Sequence, residues 1–182
     1  EFRRVLFRSD ADKSVKPVAM HGIEQGYLEE RKFSWNAHSP TGRGPTGNAI
    51  RTGIPQVNQN FLTNPALELW RAAALQRGYQ SSVALPLTDH NGVFGALMIY
   101  ASEPDAFTAG EVALLEDLAN DLAYGIETLR TRAERDRITE ENQRQLVAQK
   151  QSLKDFVRVI ASTVEMRDPY TAGHQNRVGQ LA

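Results

Sequence analysis

A glycine-rich stretch, Thr41–Gly47 (TGRGPTG), runs directly into Asn48–Gly53 (NAIRTG) and brings Arg43 and Arg51 close together along the chain. Backbone N–H groups at a helix start favour anions, so these arginines beside such a loop could hold a phosphate. The stretch is not a P-loop, because no Lys-Ser or Lys-Thr follows its glycines. A backbone requirement, with glycine supplying positive-φ turns, is the weightier reading of the same residues. Trp35 and Trp70 could line a ligand pocket. Trp70 falls at helical spacing with Leu67 and Ala74, which favours a core position. His21, His38 and His90 are scattered, with no partner four residues on, so a metal site built from them is not expected. His90 stands in a turn and is expected to be solvated. His174, a lone imidazole near a helix start, reads by itself as a solvated or capping residue. Cysteine is absent, which excludes disulfides, Cys–zinc sites, thiol catalysis and a thioether-linked chromophore.

The remaining composition narrows the classes further. In 182 residues, 21 Lys and Arg face 22 Asp and Glu, a net charge of −1. A general electrostatic binder of nucleic-acid polymers would need a basic excess. No apolar run approaches the roughly 20 residues that cross a bilayer, and no secretory signal pattern opens the sequence. The expectation is a cytoplasmic, globular protein with no membrane segment and a core built from its 41% apolar residues.

These candidate residues must be positioned by an α+β arrangement, an antiparallel sheet flanked by helices and followed by one very long helix. Ser14–Met20 partly alternates as a strand, and Ile54–Val57 reads as a short edge strand beside Pro55. A helix is expected over Pro65–Arg77, with Asn64 as cap, Pro65 at its first position and Gly78 at its end. Ser81–Leu87 and Val93–Ala101 form a hairpin around Asn91–Gly92, apolar enough to lie centrally with both faces covered. Thr108 and Glu111 form a capping box, after which Leu115, Leu118, Leu122, Ile126 and Leu129 define a stripe. The stripe lapses over the charged Arg130–Gln145 and returns as Leu146, Leu153, Val157, Ile160 and Val164. A continuous helix from Ala109 to Met166 would be roughly 85 Å long. Its apolar stripe is expected to pair with a second copy as a parallel coiled coil, loosened by a stutter between Ile138 and Leu146.

Both ends look cut. Glu1–Ser9 (EFRRVLFRS) resembles the conceptual translation of a sequencing adapter and is set aside from the fold. Gln175–Ala182 stops inside a helical pattern.

With these elements in order, the blocks Gly42–Gly53, Trp70–Arg71, Gly78–Tyr79, Ser81–Leu87 and Gly92…Gly95–Ala96–Leu97 resemble the GAF domain, in the version found in bacterial cyclic-di-GMP signalling proteins. The resemblance implies small-molecule sensing or dimer scaffolding, with a ligand of unknown identity held between the sheet and its covering helices. Arg43, Arg51 and Trp70 are the weak ligand-binding candidates. The family's extra N-terminal helix and first strand are expected to be missing, leaving residues 10–128 as a truncated GAF domain, with a coiled-coil signalling helix over 129–152.

The segment Asp168–Val178 (DPYTAGHQNRV) resembles the opening of the HD-GYP domain, so 153–182 is expected to be its short all-α N-terminal fragment. That family implies hydrolysis of cyclic di-GMP at a di-metal centre of iron or manganese, with His174 matching its first metal-ligand histidine. Tyr170 stands where some relatives carry a Glu, which favours two metals over three. The His-Asp pair and Gly-Tyr-Pro segment do not occur before Ala182, so no catalytic residue and no bound cofactor are expected in this stretch. The expected function is therefore the sensory, regulatory part of a bacterial cyclic-di-GMP phosphodiesterase acting as a homodimer. The alternatives are part of a GAF-containing sensor histidine kinase and a ligand-free dimerisation scaffold.

Overall fold

The computed structural model describes residues 3–21 and 33–167. The chain divides into two compact units, Glu1–Thr128 and Leu129–Ala182. Among the described residues of the first, six strands form one antiparallel sheet: β1 (Arg3–Ser9), β2 (Ser14–His21), β3 (Phe33–Ser34), β4 (Gln56–Asn58), β5 (Ser81–Asp89) and β6 (Gly92–Ala101), in the order β3-β2-β1-β6-β5-β4. The β5–β6 hairpin lies at the centre of the buried region because its side chains are apolar on both faces. Val83, Leu85, Ile99 and Ala101 meet Phe107, while Ala84, Ala96, Met98 and Tyr100 look the other way. Asp89 pairs with Gly92 across His90–Asn91, and Gly92 takes φ +120°, a conformation open to glycine.

The segment set aside from the fold proves to be a central strand. β1 pairs with both β2 and β6, supplying the first strand that the sequence led us to expect missing. Val5 and Phe7 are buried on one face, and the Phe7 ring lies 5.0 Å from that of Phe33. Arg4 and Arg8 point to the opposite face and stay exposed, so they alternate with the apolar residues rather than interrupt them. Gly95 of β6 leaves room for this pairing, since a Cβ there would meet the Phe7 carbonyl oxygen at 2.2 Å.

Helix α1 (Pro45–Thr52) begins earlier than the expected Asn48, with Pro45 in its first turn, and ends at Gly53 with φ +68°. The helix expected over Pro65–Arg77 divides into a 3-10 turn, Pro65–Leu67, and helix α2 (Glu68–Gln76). The Asn64 side chain accepts from the Ala66 N–H, as a cap should.

Helix α3 (Ala109–Arg167) opens with the capping box that its first residues encode. The Thr108 N–H donates to Glu111 Oε2 at 2.7 Å and the Glu111 N–H to Thr108 Oγ1 at 3.4 Å. The backbone bond from Thr108 holds the Glu111 carboxyl below its ordinary range. A lowered carboxyl stabilises the fold above its unfolded-state pKa and ceases to do so as pH falls through the folded value. Acid titration should therefore loosen this helix start below about pH 5, and Glu111→Gln should remove that pH-dependent part. Amide exchange at residues 109–112 against pH measures it; equal profiles in both proteins would contradict it.

Within the first unit, α3 packs Val112, Leu115, Ala119, Leu122 and Ala123 against the sheet. Of the stripe expected to pair with a second copy, Leu115 and Leu122 thus face the sheet, whereas Leu118 and, in the second unit, Leu129 are 49% and 67% exposed. The alanines take the inward positions because a small side chain lets the helix lie close on β5 and β6. In the second unit every described side chain from 129 to 164 is exposed except the half-buried Ala161. Exposed pairs along it include Arg137 with Glu134 at 2.8 Å and Arg144 with Glu140 at 3.7 Å. Such pairs stabilise a helix only slightly. Among the described residues no helix is long and apolar enough to cross a membrane. Pro169, Tyr170 and His174, and with them the HD-GYP resemblance, lie outside the described residues.

Candidate functional site

On the β6 face that carries Met98 and Tyr100, the glycine-rich loop, the start of α1 and Trp70 of α2 enclose a small cavity of about 20 Å³, room for roughly one water. Phe33 and Ser34 of β3 close one side and Phe61 another, while Thr41 and Thr46 add hydroxyls. The described lining carries no carboxylate, imidazole, ammonium or guanidinium group. A second hollow, of about 260 Å³, opens on the opposite sheet face, between Arg4 of β1 and Glu111 and Leu114 of α3. Its walls are Ile99, Ala106, Phe107 and Leu115, with polar groups only at Arg4 and Glu111. Convergent polar groups among aromatic rings make the first the candidate site.

Its loop is built by close approach. A Cβ at Gly42 would meet the Asn36 carbonyl oxygen at 2.0 Å, and one at Gly47 would meet the oxygens of Gly42 and Ser34 at 2.4 and 2.6 Å. A Cβ at Gly44 would press on the Trp70 ring at 2.9 Å. None of the three has positive φ, so these glycines supply room and not the positive-φ turns expected from the sequence.

Arg51 then ties the loop together. Its Nη1 donates to the carbonyl oxygens of Trp35 at 3.0 Å, Gly42 at 3.1 Å and Gly47 at 3.5 Å, and its Nη2 donates to Asn48 Oδ1. Arg43 donates from Nε to the Ala37 oxygen at 3.1 Å. Neither lines the cavity. Their guanidiniums satisfy carbonyls that a tightly wound loop would otherwise leave unpaired, which opposes the phosphate reading of the sequence.

Trp70 unites the two roles weighed for it. It is 8% exposed and belongs to the core, yet its ring forms a cavity wall. Trp35 lies away from the lining; its Nε1 donates to the Asp10 oxygen, and Lys13 Nζ stands 5.5 Å from its ring. His90 keeps 70% of its side chain exposed and pairs with Glu127 of α3. His21 and His38 are exposed. Among the described residues no three His, Asp or Glu side chains gather at metal-binding range.

Two features escaped the sequence. Arg71 donates from Nε to the Phe61 oxygen and from Nη2 to the Asn64 oxygen, each at 3.0 Å, and so fixes the cavity wall that carries Phe61. Its only signal was its place beside Trp70 in the GAF-like blocks. Asn58 of β4 and Ser82 of β5 are 2% and 0% exposed polar residues on adjacent strands. Nothing in their local sequence announces them.

Solved structures share this architecture. A domain of a protein described as a two-component sensor histidine kinase from Sinorhizobium meliloti 1021 is similar at 20% identity and TM-score 0.55, over 73% of this chain and 83% of that one. The GAF domain of a phosphoenolpyruvate-protein phosphotransferase from Coxiella burnetii is similar at 20% identity and TM-score 0.58, over 72% and 74%. A type II free methionine-R-sulfoxide reductase from Thermoplasma acidophilum is similar at 16% identity and TM-score 0.53, over 66% and 75%. At such identities the likeness is one of fold, and it spans proteins of different activities. No curated protein matches the sequence. The GAF domain family, by contrast, matches residues 5–127, beginning within β1 and ending on α3, and the chain belongs to that family.

Proposed function

We propose that this chain is the sensory part of a bacterial signalling protein, in which a small molecule held in the aromatic cavity controls an output domain through α3. The observation that carries this reading is the small cavity of about 20 Å³, lined by rings and hydroxyls that must part to admit a ligand, and bounded by a loop that Arg51 and three closely packed glycines hold in place. Such a site binds and orients; its described lining offers no acid–base pair for chemistry. The output domain is inferred to be an HD-GYP cyclic-di-GMP phosphodiesterase, its di-metal centre assembled beyond this chain and His174 its first ligand. Support comes from the sequence Asp168–Val178 alone. His174 followed by Gln175–Asn176–Arg177 lacks the acidic residue expected after a phosphorylated kinase histidine.

Parallel pairing of two copies through α3 is part of the same proposal. Leu118, Leu146, Leu153 and Ile160 stand whole heptads apart, as do Leu122, Leu129, Val157 and Val164. The two apolar stretches therefore share one phase, and the charged segment between them interrupts polarity without the stutter that the sequence suggested. Arg132, Asp136, Thr139 and Gln143 fill the seam positions there. A polar seam lets two helix packings lie close in energy, so a modest difference in ligand affinity can bias the output.

The chain has no native cysteine, which makes the pairing simple to test. Leu153→Cys should give a disulfide-linked dimer under mild oxidation, and Asp155→Cys, off the seam, should not. Equal yields would contradict the pairing. The sensing role is tested by thermal unfolding against a panel of amino acids, cyclic nucleotides, nucleobases and organic acids. A ligand should raise the midpoint progressively with concentration. A panel without effect would favour a ligand-free scaffold.

A further inference from the structure

We propose that the hollow between β1 and the first turns of α3 is filled by a second copy of this chain, whose Leu114 and Leu118 enter it while its Asp121 meets Arg4. This carries the α3 pairing into the sensor unit and rests on that reading. Val112, Leu115, Ala119 and Leu122 hold α3 against the part of the sheet that carries Val83, Leu85 and Ile99. The same sheet face continues onto β1 and β2, where Leu6 stands opposite Ala19 and Arg4 opposite His21. There Arg4, Ala19 and His21 are exposed and Leu6 is half-buried. The hollow of about 260 Å³ lies at this join, walled by Ile99, Ala106, Phe107 and Leu115. That is several times the roughly 30 Å³ share of one water, room for a branched aliphatic side chain.

The side of α3 turned from the sheet carries a stripe of its own. Glu111, Leu114, Leu118 and Asp121 follow at intervals of three and four, which is one helix face. Leu114 and Leu118 are 71% and 49% exposed, and Leu114 also lines the hollow. Exposed leucines continuous with an apolar hollow mark an interaction surface. Charge names the occupant. Between 109 and 128, α3 carries Glu111, Glu116, Asp117, Asp121 and Glu127 and no Lys or Arg. The β1–β2 face beside the hollow carries Arg4, Arg8 and Lys16 instead. Arg8 and Lys16 share Asp10 at 2.9 and 2.8 Å, whereas Arg4 pairs with no carboxylate among the described residues. One chain thus holds both an acidic-edged apolar stripe and the basic-edged hollow that fits it. A two-fold axis makes such a contact twice, and the complementary charges set its register. Leu118 also begins the heptad series through Leu146, Leu153 and Ile160, so the partner that fills the hollow is the one that pairs along α3.

Sedimentation of the full chain over a dilution series tests this. Leu114→Ser should raise the dimer dissociation constant at least tenfold, while Ile54→Ser, 60% exposed and outside the hollow, should leave it unchanged. Arg4→Glu should weaken pairing about tenfold at low salt, and adding Asp121→Arg should restore most of it. Arg4 and Leu114 are exposed in the single copy, so both variants should keep the parent's circular dichroism. Failure of Asp121→Arg to rescue Arg4→Glu would overturn the charged contact. Leu114→Ser and Arg4→Glu chains that pair as tightly as the parent would overturn the docking and leave the hollow to another occupant. If Leu153→Cys still cross-links in that case, the α3 pairing stands without it; a parent chain monomeric at every concentration would remove both.

Discussion

Replacing Phe7 with alanine is expected to destabilise the first unit by about 3–5 kcal/mol, the usual cost of emptying a buried aromatic site. Phe7 is 1% exposed, packs in a tilted ring pair with Phe33 and belongs to the core cluster that also contains Trp70 and Tyr100. Its strand lies between two others, so the void cannot close by one edge peeling away. Val18→Ala on β2, where the side chain is 51% exposed, should change stability by less than about 0.5 kcal/mol. Urea unfolding of both variants decides the matter. A Phe7 effect as small as that of Val18 would mean that β1 is not integral to the sheet.

That strand also marks where the sequence stopped being legible. Arg4 and Arg8 made residues 3–9 look unlike the start of a domain, although Val5 and Phe7 already alternate with them. What the segment could not reveal by itself is its neighbour: its pairing with β6 depends on Gly95, almost ninety positions away in about the middle of the hairpin. The hairpin was readable because its information is local, with Asn91–Gly92 for the turn and apolar residues at successive positions for double burial. The start of α3 was readable for the same reason, through Thr108 and Glu111. Its sheet-facing side was not read from the sequence, because it is carried in part by the small Ala119 and Ala123, which no leucine stripe marks.

The site was readable in part. The glycine-rich loop and Trp70 could be singled out, but the reason for the glycines lies in contacts made after folding. Arg43 and Arg51 looked available for a ligand until their carbonyl partners were in view. Asn58 and Ser82 meet only through strand pairing, which no local pattern encodes.

Gly47→Ala is expected to cost about 3 kcal/mol, at the upper end of overpacking. The added carbon would meet two carbonyl oxygens from separate segments, and neither can withdraw without breaking the Arg51 bonds that unite Ser34–Trp35, Gly42 and Gly47. Gly125→Ala provides the opposite case. It lies inside α3 with no atom within 4 Å of its would-be Cβ, so the change should stabilise by about 0.5–1 kcal/mol. Chemical unfolding of the two variants should thus move in opposite directions. A Gly47→Ala chain as stable as the parent would show that the loop is not wound as tightly as these contacts require.

The central claim is that the ring-lined cavity beside Trp70 receives a ligand. Trp70 and Trp35 are the chain's two tryptophans, so Trp35→Phe leaves Trp70 as its only indole reporter. Fluorescence of that variant, titrated with whichever panel compound raises the unfolding midpoint, should show a saturable change in Trp70 emission over the same concentrations. A stabilising compound that left Trp70 emission untouched would place the binding site elsewhere and contradict the account.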